Sequence, residues 1–251
     1  MIYVKCRRRS RGARALVSAL VAVGCPARRW HEEIVQQGRD LVVCWGERFR
    51  SNLVPVLNGE AGGNDKFAEL MLLATERVPV PACAMRPWAG WVGRSRHHHG
   101  ANDLLRGGGT DYYVEIVPTT HEFRVHVFRD PGPDGAYRVF RLGQKVPAPG
   151  LPAVGVLGGP HPIYRSRTAG WRLDYSPERR DNLATLPLVR EVARGAVRAL
   201  GYCFGAVDVG VHEPTGRVVV FEVNSAPGLD NGTAVAYARQ IAAWTTGGQP
   251  A

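Results

Sequence analysis

The sequence contains no apolar run long enough to cross a lipid bilayer, so we expect no transmembrane helix. The longest apolar stretch near the start, residues 15–23, follows a group of arginines and superficially resembles a signal peptide. Its apolar residues recur at helical spacing, however, and a strand-like segment at residues 2–5 precedes the arginines. We therefore predict the first strand and first helix of an α/β unit in a cytoplasmic protein.

Paired cysteines are also missing. The five cysteines are widely scattered, their number is odd, and no Cys-x-x-Cys pair occurs. This spacing argues against a disulfide framework and against a structural zinc site. It is typical of a protein from a reducing compartment.

Acidic residues are outnumbered, with 22 Asp and Glu against 32 Lys and Arg, which gives a net charge of +10. The densest basic segment, here called the N-terminal arginine cluster, consists of Arg7, Arg8, Arg9, Arg11 and Arg14. A basic surface suits nucleic acid, an anionic membrane or an acidic substrate, although a cluster of this kind is usually a solvated face. Charge alone therefore leaves the partner open.

Helical and strand periodicities are mixed along the chain. The patterns predict helices at residues 14–23, 65–76, 188–200 and 233–244, and strands at 2–5, 41–45, 91–94, 112–117, 122–128, 137–142, 207–211 and 218–223. Residues 58–64 include three glycines and are predicted to form a linker, and residues 95–109 a polar loop. The fold class is therefore α+β, or mixed α/β.

The strands predicted at residues 207–211 and 218–223 are typical of a hairpin. Residues 214–216 end in glycine, which favours a three-residue turn. If Glu213 pairs with Arg217, Asp208 lies directly opposite Glu222, with Cβ atoms about 5 Å apart. The pattern therefore predicts two carboxylates on one face of a sheet.

Asn224 follows Glu222 by two residues, so its side chain is expected on the face that carries the acidic pair. Facing carboxylates repel one another, and apolar neighbours indicate that these strands are buried, so the pair needs a cation. Oxygen ligands without His or Cys suit Mg²⁺, and Asp208, Glu222 and Asn224 are the predicted metal ligands. The alternatives are that one acid is exposed or that one pairs with an arginine.

This hairpin resembles the C-terminal motif of the ATP-grasp superfamily, which includes D-alanine–D-alanine ligases and ribosomal-protein glutamate ligases. The matching letters are Gly-Ala-Val-Asp-Val-Gly-Val-His from residue 205 and Val-Phe-Glu-Val-Asn-Ser-Ala-Pro-Gly-Leu from residue 220. The resemblance implies that Asp208, Glu222 and Asn224 hold magnesium ions that bridge the phosphates of ATP. It implies an α+β ATP-grasp fold with a short N-terminal α/β lobe, and ATP with Mg²⁺, or Mn²⁺ in its place, as cofactors.

The resemblance extends upstream to the expected adenosine contacts. Glu115, Ile116 and Val117 stand in the interdomain strand that receives adenine, with Glu115 near the adenine amino group. Because Pro118 has no N–H, a neighbour such as Val117 would supply the backbone contact. Glu122 matches the acid that binds the ribose hydroxyls, since a carboxylate accepts both hydroxyl protons.

Four cations follow the family order. Lys66 opens a helix as the family's lysine element does, and Arg94 stands where a lysine is common. Arg124, in a strand that is similar to those of phage-type and uncharacterised arginine-containing members, would contact phosphate or the acyl intermediate. Lys145 matches a phosphate-contacting lysine, so Arg124 and Lys145 are the predicted catalytic cations.

The resemblance also implies a domain division. Residues 1–62 would form a reduced N-terminal lobe, 63–110 part of the small ATP-grasp subdomain, 111–246 the C-terminal subdomain and 247–251 a tail. Residues 96–103 would cover the phosphates, and we expect a lid there rather than a metal site at His97–His99. A linker before the long helix contains Arg165, Arg167 and Arg172. These arginines would hold the acceptor carboxylate, or they would belong to a solvated loop.

The implied reaction is carboxylate–amine ligation through an acyl phosphate, with small-molecule or peptide substrates. A second hypothesis is a phosphotransferase of the same fold, and a third is a non-catalytic nucleic-acid-binding protein that uses the basic surface. No aromatic-and-basic recognition motif supports the third. Nucleic acid and membranes are therefore not expected partners, and the substrates and oligomeric state stay open.

Overall fold

The computed structural model describes residues 1–30, 40–60, 65–97, 110–132, 134–150, 165, 170–176 and 183–245. These residues form helices α1 (Arg11–Ala22), α2 (Lys66–Thr75), α3 (Leu186–Ala199) and α4 (Asn231–Thr245). Their strands are β1 (Ile2–Cys6), β2 (Ala27–Arg29), β3 (Leu41–Trp45), β4 (Val56–Leu57), β5 (Cys83–Ala84), β6 (Trp91–Arg94), β7 (Tyr112–Glu115), β8 (His121–Arg129), β9 (Tyr137–Pro147), β10 (Trp171–Asp174), β11 (Phe204–His212) and β12 (Arg217–Asn224). None of these helices is long and apolar enough to span a membrane. The mixture of helices and sheets confirms the predicted α+β class.

The N-terminal lobe is a parallel sheet with strand order β2-β1-β3-β4. All five residues of β3 are buried, as expected for a parallel strand that is covered on both faces. Helix α1 packs on one face through Leu16 and Leu20. It begins earlier than predicted because the Ser10 hydroxyl caps it, accepting the Ala13 N–H at 3.2 Å. The short strands β2 and β4 were not predicted.

Helix α2 packs against a small antiparallel sheet with strand order β5-β7-β6. Leu70 packs in the cluster of the small sheet, and Leu73 packs in the larger cluster of the large sheet and α3. The apolar Met71, between them on the helix, is 45% exposed. Strand β7 ends at Glu115, earlier than predicted.

The largest sheet is antiparallel, with strand order β10-β9-β8-β11-β12. One face is apolar and packs on α3 through Phe123, Val125, Val127, Leu142, Val207, Val209 and Val211 against Val189, Ala193 and Val197. The other face carries the charged residues that alternate with these along β8. The apolar Leu188 is 41% exposed, because it lies off the apolar stripe of α3. Strand β9 continues to Pro147, so Lys145 lies within the strand rather than after it.

The N-terminal lobe is joined to the large sheet by apolar and polar contacts. Helices α1 and α4 share one hydrophobic cluster. Asn58, predicted to open a linker, is instead only 2% exposed and has a left-handed backbone, with φ of 57°. Its side chain donates to the Phe204 carbonyl at 2.8 Å and accepts the backbone N–H groups of Cys203 and Phe204 at 2.6 and 3.1 Å. One amide therefore satisfies three backbone groups at the start of β11.

Some predicted features fall outside the described residues. They are residues 61–64 of the linker, 98–109 of the polar loop, Arg167 and the tail. Their predictions stand as made.

Replacing Asn58 by alanine should destabilise the fold, because three buried backbone groups lose their partner. We expect a loss of about 3 kcal/mol in the free energy of unfolding, measured by urea denaturation. Asn52→Ala is the control, since Asn52 is exposed in the same loop region. It should change stability by less than about 0.5 kcal/mol. Equal stability of the two variants would contradict the role of Asn58.

Candidate functional site

The hairpin of β11 and β12 places Asp208 opposite Glu222, as predicted, although its turn differs from the prediction. His212 rather than Glu213 pairs with Arg217, and residues 213–215 form a single 3₁₀ turn. The pairing shifts by one residue between Asp208 and Val209, where Phe221 is the extra residue of a β-bulge. The pairing at the turn is one residue away from the prediction, and the bulge shifts it back by one residue. Asp208 therefore lies opposite Glu222 although the predicted turn was wrong.

The polar face of the large sheet carries three rows of side chains that cross its strands. The first row is Lys145, Glu122 and Gly210; the middle row is Gly143, Arg124, Asp208 and Glu222; the third row is Arg141, His126, Ala206 and Asn224. Neighbouring rows are two residues apart along each strand, so their side chains lie on the same face. Antiparallel pairing therefore brings together residues from four strands that are far apart in sequence.

Asp208 lies at the centre of the middle row. Its two oxygens accept Arg124 Nε at 2.8 Å and Arg124 Nη2 at 2.9 Å, and Oδ2 also accepts Lys145 Nζ at 3.2 Å. Burial alone would raise the pKa of Asp208, but the charges of Arg124 and Lys145 outweigh it and hold the pKa below its usual range. The alternative that one acid pairs with an arginine is therefore present in this structure.

Glu122 shares Lys145 with Asp208. Its carboxylate contacts Lys145 Nζ, and the side chain is buried. Burial raises the pKa of Glu122, and the nearby negative charge of Asp208 adds to that effect, while Lys145 opposes it. Two buried acids thus share one lysine, with the pKa of Asp208 lowered and that of Glu122 raised.

Lys66 joins the helix α2 to this row. Its ammonium contacts Glu222 Oε1 at 3.1 Å and Glu69 Oε2 at 2.9 Å. Burial would lower the pKa of Lys66, but Glu222 and Glu69 together raise it. Lys66, Arg124, Lys145, Asp208 and Glu222 were all predicted from the sequence. They form two groups of short contacts, one around Asp208 and one around Lys66, and the pairing of Asp208 with Glu222 in the hairpin places these groups side by side. The two groups together are here called the charged network.

The predicted adenine-side residues lie on the small sheet and its exit. Glu115 ends β7 and binds Arg217 through two contacts of 2.7 Å, which tie the small sheet to β12. Ile116 and Val117 follow that strand, and Val117 is buried. Arg94 lies on β6, opposite Tyr112. Glu115 is thus paired with Arg217 rather than with a cation that contacts Asp208.

The predicted metal ligands offer oxygen donors on one face of the hairpin. Asp208, Glu222 and Asn224 supply two carboxylates and one amide oxygen, a set that suits Mg²⁺. The Asn224 side-chain nitrogen is buried and has no hydrogen-bond partner, so this amide is incompletely satisfied. Among the described residues, His, Cys, Asp and Glu alone form no group of three that could hold a metal. The donor set therefore fits magnesium when Asn224 completes it.

Three residues on the polar face were not identified from the sequence, namely Phe221, Arg141 and Tyr175. The Phe221 ring lies against Gly210, because a Cβ at Gly210 would touch it. The Arg141 guanidinium stacks on the Tyr175 ring at 3.9 Å. Arg141 is four residues before Lys145, so strand alternation could have identified it. Phe221 could not be found in that way, because the bulge turns it away from its expected face.

Of Arg165, Arg167 and Arg172, the structure describes Arg165 and Arg172. Arg165 is 9% exposed and donates to the Thr119 and Thr120 carbonyls at 2.8 and 3.3 Å, so its side chain is buried rather than solvated. Arg172 lies on β10, and its guanidinium is 3.6 Å from Asp174.

No protein-family model matches this chain, and no curated protein sequence matches it. Solved structures do match. The N5-carboxyaminoimidazole synthetase from Staphylococcus aureus has a TM-score of 0.63 at 9% identity, over 100% of this chain and 78% of that one. The ATP-grasp ligase PsnB, complexed with a minimal precursor, Mg and ADP, has a TM-score of 0.60 at 13% identity, over 98% of both chains. The macrocyclase MdnC from Microcystis aeruginosa, bound with precursor peptide MdnA, has a TM-score of 0.53 at 13% identity, over 94% of this chain and 97% of that one.

These similarities show that the chain has the ATP-grasp fold that its sequence predicted. In two of these comparisons, nearly the whole of this chain aligns with nearly the whole of the solved chain. The short N-terminal lobe is therefore part of the matched fold.

His126 should make stability depend on pH. It is completely buried, and its ring nitrogens contact the hydroxyls of Tyr237 at 3.1 Å and Tyr175 at 3.2 Å. Burial lowers its pKa from 6.5 to about 3. Between these values the unfolded chain binds the proton and the folded protein does not, so stability falls as the pH falls below 6.5.

We expect this histidine to cost about 2 kcal/mol of unfolding free energy between pH 7 and pH 5. Urea denaturation of wild type and His126→Gln at both pH values measures it. The wild type should lose about 2 kcal/mol more than the variant. Circular dichroism at pH 7 checks that the variant is folded. Parallel losses in the two proteins would rule out a neutral buried His126.

Proposed function

We propose that this protein is an ATP-dependent ligase that joins a carboxylate to an amine through an acyl phosphate. The observation that carries the proposal is the network of Lys66, Arg124, Lys145, Asp208 and Glu222 on the polar face of the large sheet. Three cations and two carboxylates that lie side by side on one face of the sheet suit a triphosphate with its metal. The ATP-grasp fold of the chain supports this interpretation.

Acids hold the cations of this network. Arg124 presents its fork of donors to Asp208, and the same fork can bind phosphate oxygens in a bidentate manner. Lys145 and Lys66 are likewise held by Glu122 and Glu222. When ATP binds, we infer that the cations turn to the phosphates and free the carboxylates. Arg124 and Lys145 would then stabilise the charge that develops during phosphoryl transfer.

Asp208, Glu222 and Asn224 would hold Mg²⁺, or Mn²⁺ in its place, which neutralises phosphate charge when bound. Glu122 would accept hydrogen bonds from the ribose hydroxyls. Glu115, Ile116 and Val117 would contact adenine from the exit of the small sheet, and Arg94 would contact phosphate. For Glu122 and Glu115, binding requires exchange of their present partners, Lys145 and Arg217.

The proposed reaction has two steps. A substrate carboxylate oxygen attacks the γ-phosphorus of ATP, which forms an acyl phosphate and releases ADP. The amine nitrogen then attacks the acyl carbon, phosphate leaves, and the nitrogen loses a proton to form the amide. Peptide and small-molecule substrates both agree with the aligned structures, since PsnB and MdnC were solved with precursor peptides and a related carboxyaminoimidazole synthase with ADP and an aminoimidazole ribonucleotide.

Glu222→Gln should abolish stabilisation of the protein by Mg-ATP. The change removes a charged metal ligand but keeps the shape of the side chain, and Lys66 retains Glu69 as a partner. With ATP about 100-fold above its Kd, wild type should gain about 2.7 kcal/mol, seen as a rise in Tm, and the variant should gain almost none. Glu191→Gln, on the exposed surface of α3, is the matched control and should respond as wild type does. A full Mg-ATP response in Glu222→Gln would exclude this site.

ADP release measured against panels of carboxylates and amines tests the reaction itself. A ligase should release ADP fastest when both substrates are present, with one amide formed for each ADP. Arg124→Gln should lower that rate by at least about 100-fold, because it removes a donor to the developing charge. A stable phosphorylated product that forms without an amine would instead establish a phosphotransferase. Dependence on neither substrate, together with intact activity of Arg124→Gln, would contradict the proposal.

A further inference from the structure

We propose that the N-terminal arginine cluster binds an acidic segment of a peptide substrate, whose carboxylates include the one that is activated. This inference rests on the proposed ligase function and names the class of its substrate. It concerns residues that the nucleotide site leaves unexplained.

The cluster belongs to a segment without any acidic residue. The first thirty residues contain eight cations, Lys5, Arg7, Arg8, Arg9, Arg11, Arg14, Arg28 and Arg29, and no Asp or Glu. The five arginines of the cluster are all exposed. Three of them form the loop after β1, and Arg11 and Arg14 lie on the first turn of α1 at a spacing that puts them on one side of the helix.

The position of these arginines is unfavourable for the isolated helix. The N-terminus of a helix carries partial positive charge and favours acidic residues, but the first turn of α1 contains none. Like charges in the loop and helix also repel one another. An arrangement that opposes local electrostatics is expected where a function requires it, and an anionic ligand would relieve both costs.

The loop is held in place from below. Arg29 Nη2 donates to the Arg8 carbonyl at 2.7 Å and to the Arg7 carbonyl at 3.4 Å. These contacts fix the backbone while the side chains of Arg8 and Arg9 extend to the surface. The cluster is therefore a positioned surface rather than a frayed end.

The cluster also lies where a parallel sheet binds its ligands. Strand β1 has β2 on one side and β3 on the other, so the chain reverses its direction of winding there. In open α/β sheets, ligands bind beyond the carboxyl ends of the strands at such a switch point. The loop after β1 and the loop after β3, with exposed Arg48, form this edge of the lobe.

This edge contacts the chain that leaves the proposed metal site. A Cβ at Gly46 would lie 2.8 Å from the Ala226 Cβ, and a Cβ at Gly12 would lie 3.0 Å from the Pro227 carbonyl oxygen. Ala226 is only two residues beyond Asn224. A chain bound along the arginines therefore passes close to the end of β12, where the acyl phosphate would form.

The number of arginines favours an acidic peptide over other anions. One small carboxylate or phosphate needs one or two cations, whereas this cluster offers five along a loop and a helical turn. Nucleic acid also presents many charges, but it brings no carboxylate to accept a phosphoryl group. A run of Asp and Glu side chains provides both the charges and the reacting group.

Fluorescence anisotropy of labelled hexaglutamate tests the inference. Wild type should bind it, and binding should weaken as salt is raised, because exposed charges are screened. The double variant Arg8→Gln/Arg9→Gln should bind roughly tenfold more weakly, since two exposed ion pairs are lost. Arg190→Gln/Arg194→Gln is the matched control on exposed α3 and should change binding by less than about twofold.

Several results would overturn the inference. They are no binding by wild type, equal weakening in both double variants, or tighter binding of a deoxythymidine hexanucleotide than of hexaglutamate, which would favour nucleic acid. In ADP-release assays with hexaglutamate and an amine, Arg8→Gln/Arg9→Gln should raise KM and leave kcat unchanged. A lowered kcat at unchanged KM would also contradict a binding role.

The two proposals fail in different ways. Arg8→Gln/Arg9→Gln should keep its stabilisation by Mg-ATP, and Glu222→Gln should keep its affinity for hexaglutamate. If Mg-ATP does not stabilise wild type but wild type binds hexaglutamate, the ligase proposal alone is excluded. Intact Mg-ATP stabilisation with no hexaglutamate binding would remove the peptide-binding proposal alone.

Discussion

The central constraint of this molecule is the burial of Asp208 between Arg124 and Lys145. An isolated charge at that depth would be costly, and each of the three groups is tolerable only because the others are present. Arg124 comes from β8, Lys145 from β9 and Asp208 from β11, so their contacts also fix how these strands face the opposite layer. The apolar face of the same sheet packs on α3, on the side opposite to Asp208. Stability and chemistry thus depend on alternate residues of the same strands.

A network of this kind is suited to exchange partners rather than to stay fixed. Its acids and cations already have hydrogen-bond partners, so the polyphosphate of the proposed function would replace one set of charge contacts by another. Part of the cost of desolvation would not be paid at the moment of binding, since Asp208 and Glu122 are already buried. The link from Lys66 to Glu222 spans from α2 to β12, and the link from Glu115 to Arg217 spans from β7 to β12. The first link connects α2 to the hairpin and the second connects the small sheet to it, and α2 packs on that sheet.

The sequence was most informative where a regular period met an unusual chemical group. The strand predicted at residues 122–128 alternates apolar and charged residues, and in β8 Phe123 and Val125 lie in the apolar core while Glu122 and Arg124 lie on the polar face. Asp208 and Glu222 could be paired from the hairpin pattern, but only because the bulge at Phe221 cancels the error in the predicted turn. A bulge depends on tertiary packing and leaves no period to detect.

The remaining misses have related causes. Met71 and Leu188 are apolar but exposed, because the sequence shows an apolar face without showing how wide a surface will cover it. Asn58 lies in a glycine-rich segment that is typical of a linker, yet its partners are about 146 residues away in the chain, a separation that no local pattern reveals. The strands β2 and β4 are too short to display a period. The ion pairs of Glu115 and Glu122 likewise follow from distant strands rather than from neighbours in sequence.

The packing of α1 on α4 has a consequence for synthesis of the chain. The apolar stripe of the first helix is covered by the last described helix. The side chain of Asn58 has its hydrogen-bond partners at Cys203 and Phe204, far along the chain. The N-terminal lobe therefore cannot complete its core until α4 has also left the ribosome. Until then, Leu16 and Leu20 lack their Tyr237 and Ile241 neighbours, and the early lobe is a candidate client for chaperones. Contacts between distant parts of the chain should also make refolding slow.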